Sequence, residues 1–238
     1  MIVQGGFTTY GELIGILMFK GISPRLPGDL GYAGTLDVNV CYEILDNVCF
    51  MDLVTGSEKT KEILIAAAKR LENKGVKAIT GDCGLLARYQ KEIASELKVP
   101  FFSSSLLMLP LIWTLQGQVG EIGIITGHSD FLKEDHLISS GVTDEIKFCV
   151  AGMETEEAYI KVVLKGSSVL DSDKMEQGLV DVCSKLIKEH PEIKSILMEC
   201  SNLSTYSAKI NKIFNMPVYD IVNLAKLVSL AVNPYTFI

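Results

Sequence analysis

The chain has 238 residues, 48% of them hydrophobic and 21% charged, which suits one large or two small packed domains and argues against disorder. A formal net charge of −7 argues against a nucleic-acid partner, which would call for a basic face. No apolar run approaches the roughly 18 to 20 residues of a membrane span. The N-terminal residues also lack the basic and apolar regions of a secretion signal, so a cytoplasmic protein is expected.

The first ten residues are polar and glycine-rich and read as an extension or an edge hairpin. Residues 12–19 (ELIGILMF) read as the first buried strand. A stretch over 20–36 follows, with two prolines and four glycines, loop-like and long enough to carry function. Residues 38–45 read as a strand. The segment 57–74 is a helix, with Ile63, Leu64, Ala67 and Leu71 at helical spacing and Gly75 as its stop. A strand over 76–80 leads into a helix over 85–97, then a short strand over 99–103. Ser103-Ser104-Ser105 caps a helix to about residue 115. The alternation continues with strands over 121–126, 146–150, 193–198 and 217–219. Between and after them lie helices over 129–139, 154–164, 173–190, to 214, and 221–232. Strict alternation implies parallel sheets with right-handed crossovers.

Six cysteines stand at 41, 49, 83, 149, 183 and 200, without a Cys-x-x-Cys pair or zinc-like Cys/His spacing. Cys41, Cys49, Cys149 and Cys183 read as buried small hydrophobes. Cys83 and Cys200 differ. Each follows a carboxylate at the end of a buried strand, in Gly81-Asp82-Cys83-Gly84 and Met198-Glu199-Cys200-Ser201, and each precedes a helix start. Ligands of parallel sheets sit beyond the carboxyl ends of the strands, and a helix N-terminus there favours a thiolate. The two motifs lie about half the chain apart. Two facing α/β halves would place both thiols beside one small anionic substrate. His136 and His190 read as solvated helix positions, whereas His128, just past a strand end, could edge the cleft.

Four segments make the chain resemble the cofactor-independent aspartate/glutamate (and hydantoin) racemase superfamily, roughly over 13–231. They are Pro24-Arg25-Leu26-Pro27-Gly28-Asp29-Leu30-Gly31, Gly81-Asp82-Cys83-Gly84-Leu85-Leu86, Ser103-Ser104-Ser105-Leu106 and Glu199-Cys200-Ser201-Asn202-Leu203. The resemblance implies two pseudo-symmetric, Rossmann-like α/β domains with mainly parallel sheets and an active site in the interdomain cleft. The first would hold 1–116 plus 217–238, the closing helix returning to it, and the second 117–216. It implies no cofactor and no metal. It also implies an isomerase, an amino-acid racemase in which Cys83 and Cys200 act as acid and base on opposite faces of the carbon next to a carboxylate. Arg25 would pair with that carboxylate, Gly28, Asp29, Gly84, Ser201 and Asn202 would complete its binding, and Ser104 lies close by. Asp82 and Glu199 would contact a substrate amine or support the thiols, or else bond backbone and cap helices.

The segment 32–40 departs from the Asn and Phe/Pro-rich continuation usual in that superfamily, which bears on substrate identity. A maleate-type isomerase, an arylmalonate-type decarboxylase and a non-catalytic small-acid binder are the alternatives. The composition is compatible with a homodimer.

Overall fold

The continuous apolar run Ile14–Phe19 becomes the central strand β1 because a strand covered on both faces needs apolar residues at every position. The computed structural model describes residue 2 and residues 5–235, so part of the expected N-terminal extension lies outside the described residues. The first half continues with β2 (Val40–Leu45), α1 (Phe50–Thr55), α2 (Glu58–Asn73), β3 (Ala78–Gly81), α3 (Gln90–Ser95), β4 (Phe101–Phe102) and α4 (Leu109–Leu115). The second half holds β5 (Glu121–Thr126), α5 (Glu134–Ser139), β6 (Phe148–Gly152), α6 (Glu157–Tyr159), α7 (Ser172–Glu189), β7 (Ile193–Met198), α8 (Ser207–Phe214), β8 (Val218–Tyr219) and α9 (Ile221–Val232).

Two four-stranded parallel sheets result, in the orders β2-β1-β3-β4 and β6-β5-β7-β8. The orders are equivalent, so β3 and β7 occupy matching positions and the segments that follow them emerge at matching edges. One core cluster joins Ile14, Ile16 and Ala78 of the first sheet with Ile122, Ile124 and Leu197 of the second. Ile221, Leu224 and Ala225 of α9 join the same cluster, so the closing helix packs beside the first sheet. Helix α2 starts where the Ser57 hydroxyl accepts the Thr60 N–H at 3.0 Å and buries Leu64, Ala67, Ala68 and Leu71. Gly15 allows this close approach, since a Cβ there would lie 3.1 Å from Leu71 Cδ1. Helix α7 buries Met175, Leu179, Val182, Cys183 and Leu186 on the other sheet. Among the described residues no helix is long and apolar enough to cross a membrane.

Several expected elements differ. The helices expected at 85–97, from 103, at 129–139 and after Cys200 all open with 3₁₀ turns, over Gly84–Tyr89, Ser105–Met108, Ser129–Phe131 and Ser201–Tyr206. The chain leaves each strand extended and must turn at once, which the tighter i→i+3 bond accomplishes. The expected helix at 154–164 is the single turn α6 followed by a π-helical segment, Ile160–Leu164. Helix α1 was not anticipated, because six residues hold too little period to read. Cys49 is exposed rather than buried, at the cap of α1. His136 is fully buried rather than solvated, since α5 packs on the turn after Cys83 and the ring accepts the Lys133 N–H at 3.0 Å.

Gly81 closes β3 directly ahead of Asp82 and Cys83, and a Cβ there would collide with the fully buried Leu86. Gly81→Ala is therefore expected to destabilise the fold by about 1–3 kcal/mol through overpacking, as measured by urea unfolding.

Candidate active site

Asp82-Cys83 and Glu199-Cys200 leave β3 and β7 in the same manner, and each carboxylate reaches sideways to the end of its central strand. Asp82 Oδ1 accepts the Phe19 N–H at 3.1 Å, where β1 ends. Glu199 Oε2 accepts the Thr126 hydroxyl at 2.8 Å, where β5 ends. Both carboxylates thus tie neighbouring strand ends together while still facing a cavity of about 420 Å³. Cys83 and Cys200 lie on the wall of that one cavity.

The two turns also touch each other. A Cβ on Gly84 would strike the Glu199 side chain and carbonyl, so only glycine permits this approach. In return, Ser201 Oγ donates to the Asp82 carbonyl, and Ser105 Oγ donates to the Met198 carbonyl at 2.7 Å.

Arg25 comes from the long loop after β1. Its guanidinium donates to Asp29 at 3.1 and 3.3 Å and to Asp82 Oδ2 at 3.0 Å. Burial alone would disfavour its charge, but the two carboxylates outweigh this and hold it more firmly protonated than usual. Asn202 Nδ2 donates to Asp29 Oδ2 at 2.7 Å, which joins the loop to the Cys200 turn. Gly28, at φ +102°, packs on the Thr205 backbone at the same seam. The loop is thus a strap across both halves. It is further fixed where Ser23 Oγ donates to the Val162 carbonyl at 2.8 Å, inside the π-helical segment.

Cys200 Sγ donates to Asn202 Oδ1 at 3.6 Å. With the single thiol proton used there, the Tyr159 hydroxyl, 3.1 Å from the sulfur, is the donor into it. Gly127 makes room for that hydroxyl, which a Cβ would strike. The nearby N–H groups of Asn202 and Leu85 favour the ionised forms of Cys200 and Cys83 respectively. These donors do not produce resting thiolates, which corrects the expectation from helix starts. Burial, then the charge of Glu199, pushes Cys200 up to about 12 and Cys83 well above its ordinary value, with Asp82 adding to the latter. Burial likewise pushes Asp82 up to about 6 against the pull of Arg25, and Glu199 up to about 7.

Of the residues singled out from the sequence, Cys83, Cys200, Arg25, Asp29, Gly84, Asn202, Asp82 and Glu199 line the cavity, and His128 edges it. Gly28, Ser104 and Ser201 do not. Gly28 is packed on Thr205, Ser104 caps its own turn by accepting the Leu106 N–H at 3.2 Å, and Ser201 holds Asp82. Tyr159, Thr126 and Phe131 were missed; they reach the cavity from other elements and share no motif with the cysteines. Phe131 stacks on His128 with centroids 4.1 Å apart and lies beside Phe50, forming an aromatic wall.

No protein-family model matches the chain. It is 31% identical over 204 residues to a dimethylsulfoniopropionate lyase of Durusdinium sp. clade D, covering 83% of this chain and 67% of that protein. It is 28% identical over 225 residues to dimethylsulfoniopropionate lyase 5 of Emiliania huxleyi, covering 90% and 44%. Lyase 3 of the same organism matches at 28% over 233 residues, covering 93% and 60%. The chain thus spans between 44% and 67% of these relatives' lengths. Among solved structures, unliganded arylmalonate decarboxylase superposes with a TM-score of 0.58 at 14% identity, over 93% of this chain and 92% of that one. Glutamate racemase from Bacillus anthracis gives 0.57 at 16%, over 93% and 80%. The chain shares the fold of these decarboxylase and racemase structures. The expected activity is corrected, however: relatives across most of the chain are named lyases, not amino-acid racemases or other isomerases.

Raised carboxyl pKa values make the folded site sensitive to pH. Glu199 is stabilised when protonated, so its contribution is complete below the ordinary carboxylate range and is lost as pH rises through about 7. Asp82 acts in the same sense over a narrower window, up to about 6. Glu199→Gln is expected to gain stability relative to the parent by up to ~3 kcal/mol between pH 4.5 and 7.5, as measured by denaturant midpoints across that range.

Proposed function

The chain belongs to the dimethylsulfoniopropionate lyase family, and on that premise we propose that it catalyses β-elimination from a small carboxylate bearing a sulfonium group on its β-carbon. A thiolate takes a proton from the carbon next to the carboxylate. The C–H electron pair forms the carbon–carbon double bond, and the β-carbon–sulfur bond breaks with its pair leaving on a neutral thioether. For dimethylsulfoniopropionate the products are dimethyl sulfide and acrylate, and the abstracted proton passes from the thiol to solvent.

The observation that carries this reading is a pair of thiols on one cavity whose inner wall is rich in carboxylates. Asp29 and Asp82 face Arg25, Glu199 lies on the same wall, and the two rim lysines, Lys20 and Lys165, are exposed. Neither thiol ionises readily in that field. A bound sulfonium brings the missing positive charge, and a cation within about 4–6 Å favours the thiolate. The substrate itself therefore activates the base. A sulfonium carries no N–H to satisfy, so the aromatic wall of Phe50, Phe131 and Tyr159 suits its methyl groups through dispersion and cation–π attraction. The substrate carboxylate fits beside Arg25 and Asn202, the half-buried cationic and amide donors of the cavity.

Elimination needs one base, and the two thiols differ. Cys200 receives the Tyr159 hydroxyl, which stabilises an anion, and the nearby Asn202 N–H acts in the same sense. At Cys83 the pull of the Leu85 N–H is set against the charges of Glu199 and Asp82. Cys200 is accordingly the base, and Cys83 the opposing group that positions the substrate. Tyr159 is a positioning residue acting through Cys200.

Cys200→Ser is expected to lower kcat by roughly 10²–10⁴-fold, followed as dimethyl sulfide released into the headspace. Wild-type protein that releases none would overturn the substrate assignment, and a Cys200→Ser variant with full turnover would overturn the assignment of the base. Tyr159→Phe is expected to move the acidic limb of the kcat/KM profile to higher pH, because the thiolate loses a donor. An unshifted limb with a uniformly lower rate would leave Tyr159 a packing role only.

A further inference from the structure

The N-terminal ends of β5 and β6 carry another cluster of reactive side chains, opposite the strand ends that bear Cys200. Glu121 opens β5, Cys149 lies in β6, and His190 caps the C-terminus of α7. Alternation places Glu121 and Gly123 on one face of β5. Cys149 pairs in register with Gly123, so its thiol lies beside the carboxylate under α7. Backbone bonds fix the third partner. His190 N–H donates to the Leu186 carbonyl at 2.9 Å, Ile193 N–H to the His190 carbonyl at 3.2 Å, and Glu121 N–H to the Glu192 carbonyl at 2.9 Å. The His190 ring consequently sits with Nδ1 2.9 Å from Glu121 Oε2. All three donor atoms, an imidazole nitrogen, a carboxylate oxygen and a sulfur, lie within 4.8 Å of one another.

We propose that Glu121, Cys149 and His190 form a binding site for a divalent cation of the zinc class. A mixed nitrogen, sulfur and oxygen set suits a borderline-soft ion and is unsuited to calcium or magnesium, which take oxygen ligands. Around a tetrahedral zinc the bonds are about 2.0–2.3 Å, which puts donor atoms roughly 3–4 Å apart, so side-chain adjustment of about an ångström closes the set. The imidazole is partly exposed, with side-chain exposure of 40%, which gives water access to a fourth position. On binding, the Cys149 S–H bond breaks, a metal–sulfur bond forms, and the proton goes to solvent without any change of oxidation state. Such an ion would pin β5, β6 and the end of α7 together. The site stands apart from the thiol cavity and does not depend on the lyase reading. Sequence spacing conceals it, because the ligands come from three separate elements.

Titrating Co²⁺ into metal-free protein tests this directly. The expected result is tetrahedral cobalt absorption with a thiolate-to-metal band, saturating at one ion per chain and displaced by Zn²⁺. Cys149→Ala is expected to abolish the thiolate band. His190→Gln, at a partly exposed position that leaves the core intact, is expected to weaken Co²⁺ binding at least ~10-fold. A double variant, Cys83→Ser with Cys200→Ser, is expected to keep the band, which separates this site from the cavity thiols. Absence of stoichiometric cobalt binding would mean an ordinary ion pair beside a buried thiol and would overturn the proposal. A band that survives Cys149→Ala, binding that is unchanged in His190→Gln, or a band lost in the double variant would overturn it equally.

Discussion

The site depends on the direct contact between two strand-to-helix turns. Ser201 of one turn bonds the Asp82 carbonyl of the other, and Gly84 of that turn packs against Glu199. These contacts involve backbone atoms or short side chains, so they hold the two cysteine-bearing segments with little rotamer freedom. The Arg25 strap adds a second layer, pairing with Asp29 and Asp82 while Asn202 reaches Asp29 from the far side. A site assembled on strand ends and locked by such bonds is better preorganised than one carried on free loops.

The same contacts set the electrostatics. Asp82 and Glu199 tie the ends of β1 and β5, yet they bring negative charge to two half-buried thiols. Burial acts in the same direction, because it penalises a thiolate as it penalises a carboxylate. Tyr159 distinguishes the two sulfurs, and it reaches Cys200 only because residue 127 has no side chain.

Decarboxylase and racemase structures share this architecture with a chain whose sequence relatives are named lyases. Reactions of all three kinds can pass through negative charge at the carbon beside a carboxylate, and they differ in which bond breaks next. A thiol motif reports the shared proton chemistry and is silent about a leaving group one carbon further on. Cys83 and Cys200 read alone therefore point toward racemisation, and relatives over most of the chain correct that reading. Fold by itself does not choose among these outcomes.

Much of the scaffold was legible because its determinants are local. The apolar runs of β1, β5 and β7 and the 3.6-residue stripes of α2 and α7 declare themselves within a few residues, and alternation implies parallel sheets. Both cysteine turns were legible for the same reason, since each is a short motif at a strand end. The 3₁₀ openings, the π-helical segment and the burial of His136 were not, because each answers to a neighbour distant in sequence. Tyr159 beside Cys200, Glu199 against Gly84 and Glu121 beside Cys149 and His190 are likewise products of tertiary folding. Local pattern determined which segments become strands and helices and where the thiols emerge. Only the packed chain decided their charge state and partners, because pKa and hydrogen bonding depend on what lies within a few ångströms in space, and sequence order does not record that distance.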